Sequence, residues 1–289
     1  MIGTCLGGLT VHKPTTLSDA FDILIEHGDD AAILAGGTDL LVDLRVQRRD
    51  EHHLVSLANI KELRGITETT TGVCIGAATT LNDLLKSAVI QNNYPAIIEA
   101  AQVMGSNQIR NTGTIGGNIA SAVPSADLPP VLLVLNAEVV ITSQSGERTV
   151  PICSFFQGVR KTSVEIGEIV TRINLPAPNG NASYERFDLR QGNSLAVAAV
   201  AANITMDGGT ITDAKVALGA VAPIPEIVQG VNDILVGNSI NDELLDEISG
   251  VAISASNPIT DLRGSAEYRR ELVGILTKRA IKRAIGAAQ

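Results

Sequence analysis

Short apolar strands interleaved with amphipathic helices, then a strand-rich stretch and a helical C-terminal third, predict a mixed chain of the α/β or α+β class. Its 289 residues suffice for about two domains at roughly 100–200 residues each. A composition of 45% hydrophobic and 18% charged residues fits a globular chain with a sizeable core.

Residues 15–27, TTLSDAFDILIEH, form the first predicted helix. Leu17, Phe21, Leu24 and Ile25 recur at helical spacing, Thr16 with Asp19 resembles a capping box, and Gly28 supplies the stop. AAILA (31–35) is a buried strand running into the turn Gly36-Gly37, and LVSL (54–57) and GVCIGAA (72–78) are two more strands. Thr80 caps a helix through LNDLLKSAVI, followed by a helix over PAIIEAAQVM (95–104). After a glycine-rich stretch come strands AEVVITS (137–143), TVPI (149–152) and EIVTRINLP (168–176). PAPNGNAS (176–183) is the best linker, since Pro, Gly and Asn cluster there. Beyond it YERFDLR, LAVAAVAANITM and TITDAKVALGAV read as strands, with Asp207-Gly208-Gly209 as a hairpin turn. Three helices are predicted over EIVQGVNDILVG, DELLDEISGVAISAS and AEYRRELVGILTKRAIKRAIG, the last basic near its end as a helix C-terminus favours.

Composition excludes several function classes. A formal net charge of −9 argues against a nucleic-acid backbone as main partner, and 2% aromatics without Trp argue against base-stacking platforms. The longest apolar run, LAVAAVAANI (195–204), is too short to span a bilayer, and MIGTCLGGLTVHKP has no basic region followed by a long apolar one, so no signal peptide is expected. Cys5, Cys74 and Cys153 are scattered and form no CxxC, which predicts no disulfide framework, no local iron–sulfur ligand set and a cytoplasmic location. His12, His27, His52 and His53 form no HExxH pair; they are expected to be structural or surface residues, with no metal on this chain.

Two glycine turns carry the chemistry. ILAGGTDLL (33–41) and GTIGGN (113–118) can each bring backbone close to a ligand, because glycine has no Cβ and tolerates positive φ. Consecutive NH groups in such turns form an anion nest suited to a pyrophosphate. Thr38 and Thr114 add hydroxyls, Asn118 an amide, and Asp127 an acceptor for sugar or ribityl hydroxyls. One such turn ends many strands; two, each rich in Thr and Asn or Asp, point to a nucleotide. GTIGGN is not GxGxxG, no GK[ST] follows a glycine loop, and no GxSxG is present, which leaves a non-Rossmann dinucleotide binder.

AGGTDLL followed by IRNTGTIGGNIASAVPSADLPPVLLVLNAEV resembles the FAD-binding medium subunit of the molybdenum hydroxylases, the family of the xanthine, carbon monoxide and nicotinate dehydrogenases. The likeness runs from KPTTLSDAFDIL through YERFDLRQGNSLAVAAVAA and VALGAVAPIPE into the C-terminal helices. It implies an α+β, vanillyl-alcohol-oxidase (PCMH)-type FAD-binding domain over 1–177, with subdomains about 1–60 and 61–177. A C-terminal domain over 178–289, an antiparallel sheet with helices, would pack beside the isoalloxazine ring.

The resemblance also implies site residues. The first turn, Ile33, Leu34, Ala35, Gly36, Gly37, Thr38, Asp39 and Leu40, would wrap the pyrophosphate and adenosine side. Thr114, Ile115, Gly116, Gly117 and Asn118 would contact phosphates and ribityl, and Asp127 a ribityl or ribose hydroxyl. Ile169 or Val170 would touch the flavin through backbone, Arg186 would lie near its pyrimidine edge, and Met104 and Lys161 complete the set. Where relatives often carry Lys, Arg186 keeps the charge but not the point-like geometry. Asn193-Ser194 replace the acidic pair of the xanthine dehydrogenases, and the cysteine-bearing loop for a 4Fe–4S cluster in the hydroxybenzoyl-CoA reductase branch is missing. The implied activity is oxidoreductase electron transfer: a molybdopterin-binding large subunit oxidises substrate, 2Fe–2S clusters of a small subunit relay electrons, and FAD on this chain passes them to an external acceptor. The alternatives are a stand-alone FAD-dependent oxidase or reductase, and a nucleotide-binding structural subunit without redox activity.

Overall fold

The computed structural model describes residues 8–286; Cys5 and the first half of the segment read above for a signal peptide lie outside them. The chain begins with β1 (Thr10–His12), α1 (Leu17–His27), β2 (Ala31–Leu34), α2 (Leu40–Arg45) and β3 (His53–Ser56). β3 lies between β1 and β2, parallel to both. Side chains on β3 alternate between two small cores: Val55 packs with Phe21 and Leu24 of α1, Leu54 with Leu40 and Leu44 of α2. The Thr16 hydroxyl accepts from the Asp19 NH, and Gly28 ends α1 at φ 53°, the stop its position suggests. Helix α2 has no counterpart among the predicted elements; LLVDLR is six residues, too short for periodicity to show.

A second part runs through β4 (Ile66–Thr69), β5 (Gly72–Gly76), α3 (Leu81–Lys86), α4 (Ala88–Asn93), α5 (Pro95–Val103), α6 (Asn107–Thr112), α7 (Ile115–Ala120) and α8 (Leu128–Val134). It continues with β6 (Glu138–Ser143), β7 (Gly146–Pro151), α9 (Ile152–Phe155), β8 (Phe156–Gly158), β9 (Lys161–Thr162) and β10 (Ile169–Pro176). An antiparallel sheet of order β4-β5-β10-β6-β7 packs Ile75, Val139, Ile141 and Ile173 against Leu84, Ile97, Ile119 and Val131. The helix predicted from Thr80 is two helices. The chain turns to ψ 115° at Ser87, whose hydroxyl caps the Ile90 NH, so one helix ends where the next begins. LPPVLLV, not predicted as an element, forms α8 and is buried throughout; its prolines occupy the first turn, where a helix needs few NH donors.

The remainder comprises β11 (Asn181–Phe187), β12 (Ala198–Asp207), β13 (Thr210–Gly219), β14 (Glu226–Ile227), α10 (Val231–Leu235), α11 (Asp242–Ala255) and α12 (Ala266–Ala284). The four strands form an antiparallel sheet in chain order. Gly208 and Gly209, at φ 54° and 90°, make the two-residue hairpin between β12 and β13. Both faces of β12 are covered: Val200, Ala202 and Ile204 meet the core beneath α11 and α12, whereas Ala199 and Ala201 join the core of α5 and α8. The helix predicted over 226–237 is corrected: Glu226–Ile227 pair with β13, and helix starts only after Gly230, whose φ of 81° is outside the helical region.

Arg269 of α12 is the largest fully buried side chain. It donates to the carbonyls of Val197 (2.8 Å) and Ala220 (3.2 Å) and to Asp261 (2.6 Å), which closes the 257–264 loop onto the sheet. Burial opposes charge on Asp261, but hydrogen bonds from the Arg263 side chain and backbone and from Arg269 outweigh it and hold the carboxyl well below its ordinary range. A depressed carboxylate pKa stabilises the fold above the unfolded value, near 3.9, and that contribution disappears as pH falls through the folded value. Arg269→Met should cost about 1–3 kcal/mol at neutral pH, the penalty for leaving the buried Val197 carbonyl without its donor, while Asp261 stays paired with Arg263. In urea titrations the gap between wild type and Asp261→Asn should be full at pH 7 and shrink below about pH 4.

Candidate functional site

The two glycine turns pack directly on one another. A Cβ on Gly36 would fall on the carbonyl oxygen of Thr112, and one on Gly117 would lie 3.8 Å from the Cβ of Ala35. The second turn is also fastened to the end of β5: Leu81 donates to Gly113 O (3.0 Å), Ile115 to Thr79 O (3.1 Å) and Gly116 to Ala77 O (2.9 Å). A Cβ on Gly116 would stand 2.7 Å from that Ala77 oxygen. Gly36 and Gly116 are therefore glycines because backbone meets backbone there.

The turns differ in their hydrogen bonding. GTIGGN is not the open nest its glycines suggest: it starts α7, with Thr114 as N-cap. The NH groups of Ile115 and Gly116 go to Thr79 and Ala77, that of Gly117 to Thr114 Oγ1 (3.0 Å), and that of Asn118 to Thr114 O (2.9 Å). In the first turn, the NH groups of Gly36, Gly37, Thr38 and Asp39 donate to no acceptor among the described residues. With Gly37 at φ 72°, this stretch of backbone lines the cavity with its NH groups unused.

Around these turns opens a cavity of about 990 Å³, at the upper end of the roughly 300–1,000 Å³ usual for ligand sites. Of the residues singled out from sequence, Ile33, Ala35 through Leu40, Met104, Thr114, Gly116, Gly117, Asn118, Asp127, Ile169 and Val170 line it. Four do not. Leu34 packs into the small core of α2. Ile115 points into the main core with no exposure. Lys161 is exposed on the β8–β9 hairpin, its neighbours Arg160 and Thr162 taking the wall. Arg186 sits behind the wall, bonded to Asp127, Asp188 and the Ser194 carbonyl.

Asp127 is the best-organised polar group of the wall. Its Oδ1 accepts from Tyr184 Oη (2.6 Å) and Arg186 Nη1 (2.9 Å), and both members of the ion pair are buried. Its Oδ2 accepts no hydrogen bond from the described residues. Burial pushes the carboxyl up, opposed by the charge of Arg186 and the Tyr184 hydroxyl; the Tyr184 phenol is raised by its own burial and by Asp127. Asp39 is accessible from the cavity, yet crowding by protein raises its carboxyl, with Asp43 adding to the effect and Arg160 and Ser121 opposing it.

Asp43 and Arg160 had not been singled out from the sequence. Asp43 is a buried carboxylate on α2, paired with Arg48 and with Arg160, a non-glycine residue at φ 59°. A lone acid in the apolar run LLVDLR marks the first; nothing local marks the second. Ser125, also buried in the wall, escapes notice as an ordinary loop serine. Four free NH donors, hydroxyls at Thr38 and Thr114 and a half-satisfied carboxylate fit an extended ligand carrying a pyrophosphate and a polyol.

Comparison with known proteins bears on this site. Residues 7–178 match the FAD binding domain in molybdopterin dehydrogenase, and 182–284 the CO dehydrogenase flavoprotein C-terminal domain. The chain belongs to the FAD-binding medium-chain family of the molybdenum hydroxylases, a family of oxidoreductase subunits. It is 35% identical to the carbon monoxide dehydrogenase medium chain of Afipia carboxidovorans over 98% of this chain and 99% of that one. It is likewise 35% identical to the glyceraldehyde dehydrogenase medium chain of Sulfolobus acidocaldarius, over 93% and 96%. The crystal structure of a Cu,Mo-CO dehydrogenase contains a chain that superposes with a TM-score of 0.94 at 35% identity, over 98% of this chain and 99% of that one. The expected PCMH-type architecture with its C-terminal sheet and helices is therefore present.

Gly116→Ala should destabilise the fold by about 1–3 kcal/mol, as overpacking does, and loosen FAD together with the backbone. Gly192→Ala, which meets nothing within 4 Å, should change neither. Urea denaturation and FAD retention through gel filtration measure the two effects.

Proposed function

We propose that this chain is the electron-transfer flavoprotein of a three-part molybdenum hydroxylase, working with a molybdopterin-binding large subunit and a 2Fe–2S small subunit in the cytoplasm. The observation that carries the reading is the makeup of the cavity wall: among the described residues it holds a dinucleotide-sized site but no His, Cys, Tyr or Lys. An oxidase acting alone needs an acid, base or nucleophile near the reacting carbon; the ionisable groups of this wall are arginines and carboxylates, and most of those carboxylates are paired with arginines. When bound, FAD supplies the redox chemistry linking the partner's clusters to an external acceptor; the protein supplies position and field.

The free NH groups of Gly36–Asp39 receive the pyrophosphate, and Thr38 adds a hydroxyl. The α7 turn acts by closeness: its glycines leave the wall flat, while Thr114 and Asn118 present side chains. Asp127 accepts a polyol hydroxyl at Oδ2. Arg186 acts on the site through Asp127, orienting that carboxylate and opposing the effect of its burial, rather than by touching the ring. Ile169 and Val170 offer a buried apolar edge at the start of β10. Domains divided near residue 177 place Asp127 in one and its two donors in the other.

Coexpression with the large and small partners should yield a complex whose flavin bleaches when substrate reaches the molybdenum site, while the isolated chain retains FAD and oxidises nothing. Turnover of a small substrate by the isolated chain would overturn the reading. Asp127→Asn should weaken FAD binding by about tenfold to a hundredfold, matching the ~1.5–3 kcal/mol of a hydrogen bond to a charged group. Titration of the apoprotein by flavin fluorescence measures it.

A further inference from the structure

Three histidines from three separate elements meet beside α1. On the sheet, His53 of β3 lies opposite Thr10 of β1, so His12, two residues along, projects from the same face as a diagonal neighbour. His27 is the last residue of α1, which packs on that face. We propose that His12, His27 and His53 form a binding site for one divalent transition ion, Zn²⁺ foremost.

The geometry supports it in three ways. One ring nitrogen from each residue can be chosen so that all three lie within 4.8 Å of one another. His12 Nε2 and His53 Nδ1 are 2.9 Å apart; with metal–nitrogen bonds of about 2.0–2.1 Å, two tetrahedral ligands sit roughly 3.3 Å apart, so small ring rotations admit an ion between them. The rings of His27 and His53 stack with centroids 3.6 Å apart and planes 11° from parallel; an imidazole lone pair lies in its ring plane, so one ring must turn out of the stack for both to reach a shared ion. All three residues are half-buried, and none pairs with a carboxylate among the described residues, unlike neighbouring His52, which is held by Asp30.

The donor set is three imidazoles without thiolate, a set that suits Zn²⁺, Cu²⁺ or Ni²⁺ and leaves a fourth position for water. A bound ion would clip β1, α1 and β3 together at one end. His27 adjoins Gly28 and Asp29, which belong to the cavity wall, so the clip would also brace that wall.

The test uses the full chain, free of affinity tags and stripped of metal. Titration with Co²⁺ should give about one equivalent bound with the visible absorption of a tetrahedral centre, and Zn²⁺ should displace it. His27→Gln and His53→Gln should each weaken uptake at least about tenfold, while His52→Gln leaves it unchanged. Far-UV circular dichroism and FAD content report whether each variant is folded. His27, at the end of a helix, provides the decisive variant if the strand substitution unfolds the chain. No stoichiometric uptake by the wild type, uptake that survives His27→Gln, or uptake lost with His52→Gln would each overturn the site.

Discussion

The cavity exists because two backbone segments approach each other more closely than a side chain permits. Gly36 rests against the Thr112 carbonyl, and Gly116 against Ala77. A Cβ on Gly36 would push the turn after β2 away from the end of α6, and one on Gly116 would push α7 away from the segment that follows β5; interiors are too densely packed to absorb such a shift without loss. With the approach in place, the two turns divide the work. One is tied into the protein through the NH groups of Gly113 and of Ile115 to Asn118 and acts as a wall; the other keeps four NH groups without a protein acceptor among the described residues.

The polar interior is arranged around arginines. Arg186, Arg269 and Arg283 each gather several oxygens at places where strands, helices and loops converge. Arg283 near the end of α12 reaches Glu185 and the Tyr184 carbonyl on β11, and Glu99 on α5, whose other oxygen accepts the Tyr184 NH at 2.8 Å. Of these, the Arg186–Asp127 pair is buried on both sides; such a pair stabilises little compared with a hydrophobic replacement, but leaving one partner alone is costly. They make the relation of β11 to α5 and Asp127 hard to change in small steps.

Much of this was legible in the sequence, and the failures have physical causes. Long elements with clear alternation or caps, such as α1, β12, β13 and α12, read correctly, because their patterns repeat several times. The short helices did not: α2, α6, α7 and α8 have six or seven residues, and burial on all sides of α8 removes its polar face. The two glycine turns were recognisable, but not which of them kept its NH groups free, since that depends on Ala77 and Thr79, remote in sequence. Arg186 was placed beside the flavin by resemblance alone, while the carboxylate that holds it behind the wall is 59 residues away in sequence. The histidine cluster was invisible for the same reason: its members span 41 residues without a recognisable spacing.

The order of strands has a consequence for how the chain comes to its shape. In the parallel sheet the middle strand, β3, is the last of the three to be made, so β1 and β2 have no partner until it emerges. The larger sheet repeats the arrangement on a longer scale: β10 fills the centre between β5 and β6, and Val73 waits for Leu175. Each sheet closes through its final strand, after a loop whose entropy must be lost before any pairing compensates. On the ribosome the N-terminal half is therefore an unfinished surface with exposed strand edges. A chain stalled or truncated before Ile169 would present β5 and β6 to chaperones or to each other rather than fold.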